Sequence, residues 1–500
     1  MLTYRHQKFI SNISLQGFTK LASDTYVTEN PYIALKYIDH ANEIALKQLL
    51  PLEEAIQESL AIEDWGSEPI PAPTGMEYYP FQIAGIRYAI QYNKVLIGDQ
   101  PGLGKTIQAV GVANYFGFKN ILVVCPASLR LNWEKEIKNW LITNSKTNAI
   151  LNGKAEVKPD HVNIISYDLL KKYLPHLLRL DIELLIVDEA HFVKNPTTIR
   201  TKIVMKQLVE RVNRVVLLTG TPIPNRPNEF HGILKKLVPN AIDNMGFQTF
   251  LNYYCQHYVG DYGPVITGTK NEKELWARLR SNFMVRRLKT DVLKSLPPKV
   301  FNTIAIPPTP KIKKIIKRES EFNPHEIVEK GAKVGTSLPE IRHNMGVAKA
   351  PLVVQYIENL IESGLEKIII FAHHREVISR LAQGLKTYQP VVVTGATTPT
   401  AKQNAVDRFQ SVPSVKVFIG NIVAAGTGFT LTAAADVVFA ETSYVPGENE
   451  QAIDRAHRIG QTATSVNIHY IVIEGSLDAQ ILEIASSKQR NINQILDNFN

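Results

Sequence analysis

The chain has 500 residues, 44% apolar and 21% charged, with 56 basic against 47 acidic side chains and a net charge of +9. It is too long for one core and too apolar for a disordered chain, so two or three globular domains are expected. Two distant cysteines, Cys125 and Cys255, exclude a disulfide framework and a zinc cluster, and the basic excess suits a polyanionic partner without proving one.

Residues 1–72 read as a small accessory unit: one or two short helices after a strand-like start, then the linker "SEPIPAPTG". The opening "MLTYRHQKFISNIS" has no apolar core of a signal peptide, and no run reaches bilayer length. A cytoplasmic chain without membrane contact is expected, in a bacterial or phage-infected cell, or a nuclear one if the source is eukaryotic. From 73 to 240, apolar runs recur as "KVLIGD", "NILVVCP", "VNIISY", "LLIVDEA" and "RVVLLTG". From 345 to 500 the series is "KIIIFAHH", "PVVVTG", "VKVFIGN", "DVVFAE" and "NIHYIVIEG". Unbroken β-branched runs mark strands buried on both faces, hence parallel sheets covered by helices. The predicted class is α/β, with two RecA-like, doubly wound parallel-sheet lobes. Residues 241–344 read as a helical insertion and linker, punctuated by Pro297, Pro298, Pro307, Pro308 and Pro310.

The stretch "GDQPGLGKTIQA", residues 98–109, follows a strand and opens an apolar-periodic helix. That context makes it a phosphate-binding loop. Gly102, Leu103 and Gly104 would bring backbone N–H groups close to phosphate oxygens. Lys105 would reach the β- and γ-phosphates, and the Thr106 hydroxyl would hold Mg²⁺. The strict fingerprint wants glycine where Asp99 stands. "LLIVDEAH" ends a second buried strand with two carboxylates: Asp188 to hold Mg²⁺, Glu189 to orient and polarise water. ATP with Mg²⁺ is the expected ligand pair.

In order along the chain, "PGLGKTIQA", "DEAHFVKN", "LLTGTPIPN" and "QAIDRAHRIGQT" resemble the Swi/Snf-type ATPases of helicase superfamily 2. "NYYCQHYVG" and "VRRLKTDVLKSLPPK" narrow the resemblance to HARP-like annealing helicases and their small phage and bacterial branch-migration relatives. The form D-x-x-G-x-G-K-T is that of helicase-type ATPases, which do without the first glycine. The family usually has Asp-Glu-Met before "GLGKT", where this chain has Asp-Gln-Pro.

The resemblance implies further roles. Gln82 would read the adenine edge. Gln451, Arg455 and Arg458 would lie on adjoining faces of one helix, with arginines turned to phosphates held by the other lobe. DNA contacts would come from Ser128, Thr219 and Thr221 in the first lobe. In the second they would come from Thr394, Gly395, Gly426, Thr427 and Gly428, as contacts to phosphate rather than to bases. Arg286, Arg287, Lys289 and Lys294 read either as added DNA charge or as a solvated basic helix. The expected activity is an ATP-driven translocase or helicase on branched or double-stranded DNA, monomeric, working beside replication or recombination proteins. Two alternatives stay open. One is a duplex translocase or restriction-type motor subunit. The other is a strand-separating helicase with a hairpin or an aromatic wedge such as Trp276, Tyr253 or Tyr262.

Overall fold

The computed structural model describes residues 1–220, 227–260, 263–293, 296–324, 327, 337–425 and 430–484. The chain opens with β1 (Leu2–Arg5), β2 (Lys8–Ser11), β3 (Thr19–Ala22) and β4 (Thr25–Thr28), an antiparallel sheet ordered β1-β2-β4-β3. The sheet is more regular than the strand-like start expected from sequence. The helix Glu43–Leu60 follows and packs on the helix Glu272–Asn282 of the predicted insertion. Leu2, Phe9, Tyr32, Leu49 and Trp276 share one core there. Trp276, a candidate wedge by sequence, is therefore an interior residue, because the N-terminal unit covers it. Tyr253 is tied down as well, donating to Glu274 at 2.8 Å.

The first lobe holds β5 (Lys94–Ile97), β6 (Ile121–Cys125), β7 (Lys146–Ala149), β8 (His161–Ser166), β9 (Leu184–Asp188) and β10 (Arg214–Leu218). A separate hairpin follows, β11 (Cys255–Gly260) with β12 (Gly263–Thr269). The segment read as insertion and linker also supplies β13 (Met284–Val285) and β14 (Lys299–Ile306), one strand to each lobe. The second lobe continues with β15 (Ile368–Ala372), β16 (Val391–Val393), β17 (Val417–Asn421), β18 (Asp436–Phe439) and β19 (Val466–Ile473).

The sheet orders are β13-β5-β10-β9-β6-β8-β7 and β14-β19-β18-β15-β17-β16. Every pairing in both is parallel. The order reverses beside the first strand of each series, so the loops at the C-terminal strand ends open onto a crevice. Val, Ile and Leu from β5, β6, β9 and β10 fill the cores above and below the first sheet. β15, β17 and β18 do the same in the second. Cys125 and Cys255 are buried thiols, and neither is in a disulfide. Among the described residues, no helix is long and apolar enough to cross a membrane.

Candidate ATP-binding cleft between the lobes

The loop from β5 ends at Gly104, which caps the helix Lys105–Phe116 with φ +75°. Gly102 has φ +91°, and a Cβ there would lie 2.8 Å from Cβ of Arg458 in the other lobe. The backbone thus needs glycine both for its left-handed turn and for the approach of the second lobe. Lys105 Nζ donates to Asp99 O at 2.8 Å. Burial lowers the Lys105 pKa, against the pull of Glu189, Asp99 and Asp188.

Asp99 does not face the phosphate side of the loop. It is fully buried and accepts from Arg287 N at 2.9 Å, Arg287 Nε at 3.0 Å, Arg287 Nη2, and Gln108 Nε2 at 2.8 Å. Arg287 also donates to Gln108 Oε1 at 2.7 Å. Asp99 therefore fastens the phosphate loop to the chain that follows β13. Gln100 adds a second tie: its N donates to Arg287 O at 3.2 Å, and its Oε1 accepts Lys289 N at 2.8 Å. The reading of Arg286, Arg287 and Lys289 as DNA-facing or solvated charge is corrected here. All three are buried, and Arg286 donates to Gly98 O at 2.7 Å and Gly220 O at 3.2 Å. Strand pairing of β13 with β5 draws these side chains inward. Lys294 lies outside the described residues.

Gln82 is buried, with both ends of its amide engaged within the chain. Nε2 donates to Leu103 O at 3.2 Å, and Oε1 accepts Tyr79 N at 3.1 Å. It braces the phosphate loop from behind.

β9 delivers Asp188 to the cleft. Trp133 Nε1 donates to Asp188 Oδ2 at 2.7 Å, Glu189 N to Oδ1 at 2.9 Å, and Tyr167 Oη to the Asp188 carbonyl at 2.6 Å. Burial and the Glu189 charge raise the Asp188 pKa. Glu189 takes the left-handed region at φ +51°, uncommon for a non-glycine residue. Burial would raise Glu189, but His191, Lys105 and Arg455 outweigh it and hold its pKa below the ordinary value. His191 Nδ1 lies 3.3 Å from Glu189 Oε2 and 3.3 Å from Thr219 Oγ1. Thr219 is thus a buried link to the DEAH segment and not an open phosphate contact. β10 ends beside β9 in register, which sets the two side chains together.

The second lobe closes the cleft. The helix expected to run through "QAIDRAHRIGQT" ends at Ile453, and Arg455 and Arg458 sit on the turns that follow. The linker competes for this stretch. Lys289 Nζ donates to Asp454 Oδ1 at 2.7 Å and to His457 O, Lys299 Nζ lies 3.1 Å from Asp454 Oδ1, and His457 Nε2 meets Pro297 O at 2.8 Å. Gln451 remains on the helix, its carbonyl accepting Arg455 Nε at 2.9 Å. A cleft of about 180 Å³ is lined by Gly102, Gly104, Lys105, Thr106, Asp188 and Glu189 from one lobe and Thr430, Arg455 and Arg458 from the other. Burial and Arg455 lower the Arg458 pKa to about 10, so it stays charged at neutral pH.

The remaining DNA candidates that the structure describes occupy loops at C-terminal strand ends. Ser128 is on the short turn Ala127–Leu129 after β6. Thr394 and Gly395 follow β16, where Thr394 N donates to Thr397 Oγ1 at 3.0 Å and nothing lies within 4 Å of a Cβ at Gly395. Thr221, Gly426, Thr427, Gly428 and Tyr262 lie outside the described residues. Sequence reasoning missed Trp133, His191 and Asp454. His191 and Asp454 stood inside "DEAHFVKN" and "QAIDRAHRIGQT", but Thr219 lies 28 positions from His191, Lys289 lies 165 from Asp454, and Asp188 lies 55 from Trp133.

The SNF2-related domain model matches residues 76–349, and the helicase conserved C-terminal domain model matches 352–460. The Xenopus tropicalis SWI/SNF-related matrix-associated actin-dependent regulator of chromatin subfamily A-like protein 1 is 34% identical over 433 residues, covering 84% of this chain and 45% of that one. The Homo sapiens DNA annealing helicase and endonuclease ZRANB3 is 34% identical over 424 residues, covering 80% and 38%. Among solved structures, the Sulfolobus solfataricus SWI2/SNF2 ATPase core in complex with dsDNA matches 86% of this chain and 99% of that chain, at 23% identity and a TM-score of 0.41. The chain spans less than half the length of these curated relatives. More than half of its own length fits the SNF2-related model, and the chain belongs to that family, the Swi/Snf-type branch of helicase superfamily 2.

Proposed function

We propose that the chain is a DNA-dependent ATPase that moves along DNA and acts on branched structures, by branch migration, fork reversal or annealing. One observation carries the ATPase reading: Lys105, Thr106, Asp188 and Glu189 of one lobe face Arg455 and Arg458 of the other across a single cleft. The branched-DNA reading is supported by the relatives, one of which is named a DNA annealing helicase.

In this reading the N–H groups of Gly102, Leu103 and Gly104 and the Lys105 ammonium bind the phosphates of ATP. The residues fit a divalent cation: Thr106 and Asp188 would hold Mg²⁺, which when bound neutralises charge on the phosphate oxygens. Glu189 stays ionised, held by His191, and orients and polarises the attacking water. Arg455 and Arg458 supply positive charge where negative charge grows on the transferring phosphoryl group. Both belong to the second lobe, so turnover depends on lobe closure. The chain Glu189–His191–Thr219 gives the segment after β10 a direct route to the water-orienting carboxylate.

The test is steady-state ATP hydrolysis without DNA and with single strands, duplex and a fork, at one salt concentration. Strongest stimulation by the fork supports the proposal. Stimulation by plain duplex alone would favour a duplex translocase or motor subunit, and a labelled four-way junction left unmoved during turnover would remove the branch-migration claim. A second reading, strand separation, draws on the β11–β12 hairpin, which stands apart from both main sheets with Tyr258 exposed. Stimulation by single strands alone would favour it.

Trp133→Phe keeps the buried ring and deletes the donor to Asp188. Loss of such an outer hydrogen bond typically costs roughly 10- to 100-fold in metal affinity or activity. The expected result is a raised Mg²⁺ requirement for turnover, with a melting temperature lowered by the smaller ring and the Asp188 oxygen left without its donor. An unaltered Mg²⁺ titration would show that this bond does not orient Asp188.

A further inference from the structure

The helix Pro310–Glu319 is sharply two-faced. Ile312 is buried with Met345 and Ile473, and Ile315 and Ile316 pack beside it. Lys311, Lys313, Lys314, Lys317 and Arg318 are all exposed. At about 100° per residue these five side chains cover an arc of about 160°, opposite the isoleucines. Arg318 lies 3.7 Å from Glu340, and the four lysines form no ion pair with any described residue. Exposed like charges at this spacing repel one another, and a polyanion seated on the face would relieve that repulsion. Position supplies the second argument. The helix starts four residues beyond Ile306, the C-terminal end of β14. The second sheet is wholly parallel, so this is the same rim from which the loops after β16 and β17 emerge, the loops proposed to meet DNA.

We propose that the lysine face of the helix Pro310–Glu319 is an accessory contact for the phosphate backbone of duplex DNA, extending the footprint beyond the inter-lobe track. It rests on the DNA-translocase reading. Ten residues at ~1.5 Å rise give a ridge about 15 Å long, and a duplex presents one charge per roughly 1.7 Å of axis. Each lysine neutralising one phosphate adds about 0.9 to the slope of log affinity against log salt.

The experiment is a salt titration of binding to a blunt duplex by Lys311→Gln/Lys313→Gln/Lys314→Gln/Lys317→Gln and by the matching Lys→Arg set. The Gln set should lower the slope by about 3.6, with wild-type melting and wild-type DNA-independent hydrolysis. The Arg set should keep the wild-type slope. An unchanged slope in the Gln set overturns the proposal while leaving the translocase reading intact. A wild-type chain that binds no duplex at all overturns both.

A separate observation carries a second inference. Lys289 is buried between the lobes: its backbone N meets Gln100 of the phosphate loop, and its Nζ meets Asp454 and the His457 carbonyl, which flank Arg455 and Arg458. We infer that Lys289 is a positioning residue, seating the arginine-bearing turn on the phosphate loop. It too rests on the ATPase reading. Lys289→Met should enlarge the radius of gyration without nucleotide. It should also lower kcat on the order of 10²-fold, as for misplaced catalytic groups, with KM for ATP little changed. Asp454→Asn should reproduce both effects, and Lys289→Arg should restore part of each. Scattering curves unchanged from wild type in both Lys289→Met and Asp454→Asn would overturn the inference. That holds even if no ATP turnover were found, an outcome that would remove the ATPase reading instead.

Discussion

Arg458→Ala is expected to lower DNA-stimulated ATP turnover on the order of 10³-fold while leaving DNA binding intact, the size of effect seen when an arginine finger is removed. Arg458 approaches Gly102 so closely that a Cβ on that glycine would collide with it. It also lines the cleft with Lys105 and Glu189. Its pKa, lowered to about 10 by burial and Arg455, still leaves it charged at neutral pH. Such a charge matters most where negative charge develops, so the loss should fall on kcat rather than on KM. Arg458→Lys keeps the charge and loses the planar fork, and partial activity is expected. Wild-type turnover by Arg458→Ala with saturating DNA would show that the phosphoryl group is stabilised elsewhere.

The arrangement ties chemistry to the relation between the lobes. The first lobe holds the phosphate loop, both carboxylates and the His191 link to Thr219. The second contributes only arginines and the loops that follow its strands. The segment between them is no passive tether. Its Arg286 and Arg287 are built into the first lobe, and Lys299 starts the first strand of the second while facing Glu450 and Asp454. Opening the lobes would break the Lys289 contact to Asp454 and withdraw both arginines together, while Lys299 would stay with Asp454 inside the second lobe.

Most of the two lobes was legible because strands buried on both faces must be apolar throughout, and "LLIVD" or "KIIIFA" can be little else. Edge strands obey no such demand. β7 reads "KTNA" and β14 alternates exposure along "KVFNTIAI", so neither stood out as a buried run. The N-terminal sheet was hidden for a related reason. Its four-residue strands are half-exposed, and its core is completed by Trp276 from far along the chain. In the site, residues with local signatures were readable: the glycines, Lys105, and the Asp188–Glu189 pair. Residues whose meaning lies in a distant partner were not. "VRRLKTD" looks like a basic helix until β13 pairs with β5 and turns two arginines inward. The arginine helix was overextended because helical spacing says nothing of the linker lysines that hold Asp454.

Asp99→Gly would restore the glycine that the strict phosphate-loop fingerprint demands, and it is expected to destabilise the first lobe by about 3–5 kcal/mol. Arg287 is buried, and Asp99 is its carboxylate partner among the described residues, receiving its backbone N, its Nε and Nη2. Removing that carboxylate leaves a guanidinium in the interior without its counter-charge and takes from Gln108 Nε2 its acceptor. The backbone would suffer too, since glycine has more freedom to lose on folding. Asp99→Asn keeps an acceptor of similar shape and should cost less. Asp99→Gly/Arg287→Met removes both partners and should recover much of the loss, because a missing pair is cheaper than an orphaned charge. Hydrogen exchange of the Lys105–Phe116 helix, beside thermal melting, reads the effect locally where the whole chain does not unfold in one step. If Asp99→Gly exchanged and melted like wild type, the pair would not be what joins the phosphate loop to β13. The departure from the glycine fingerprint would then need another cause.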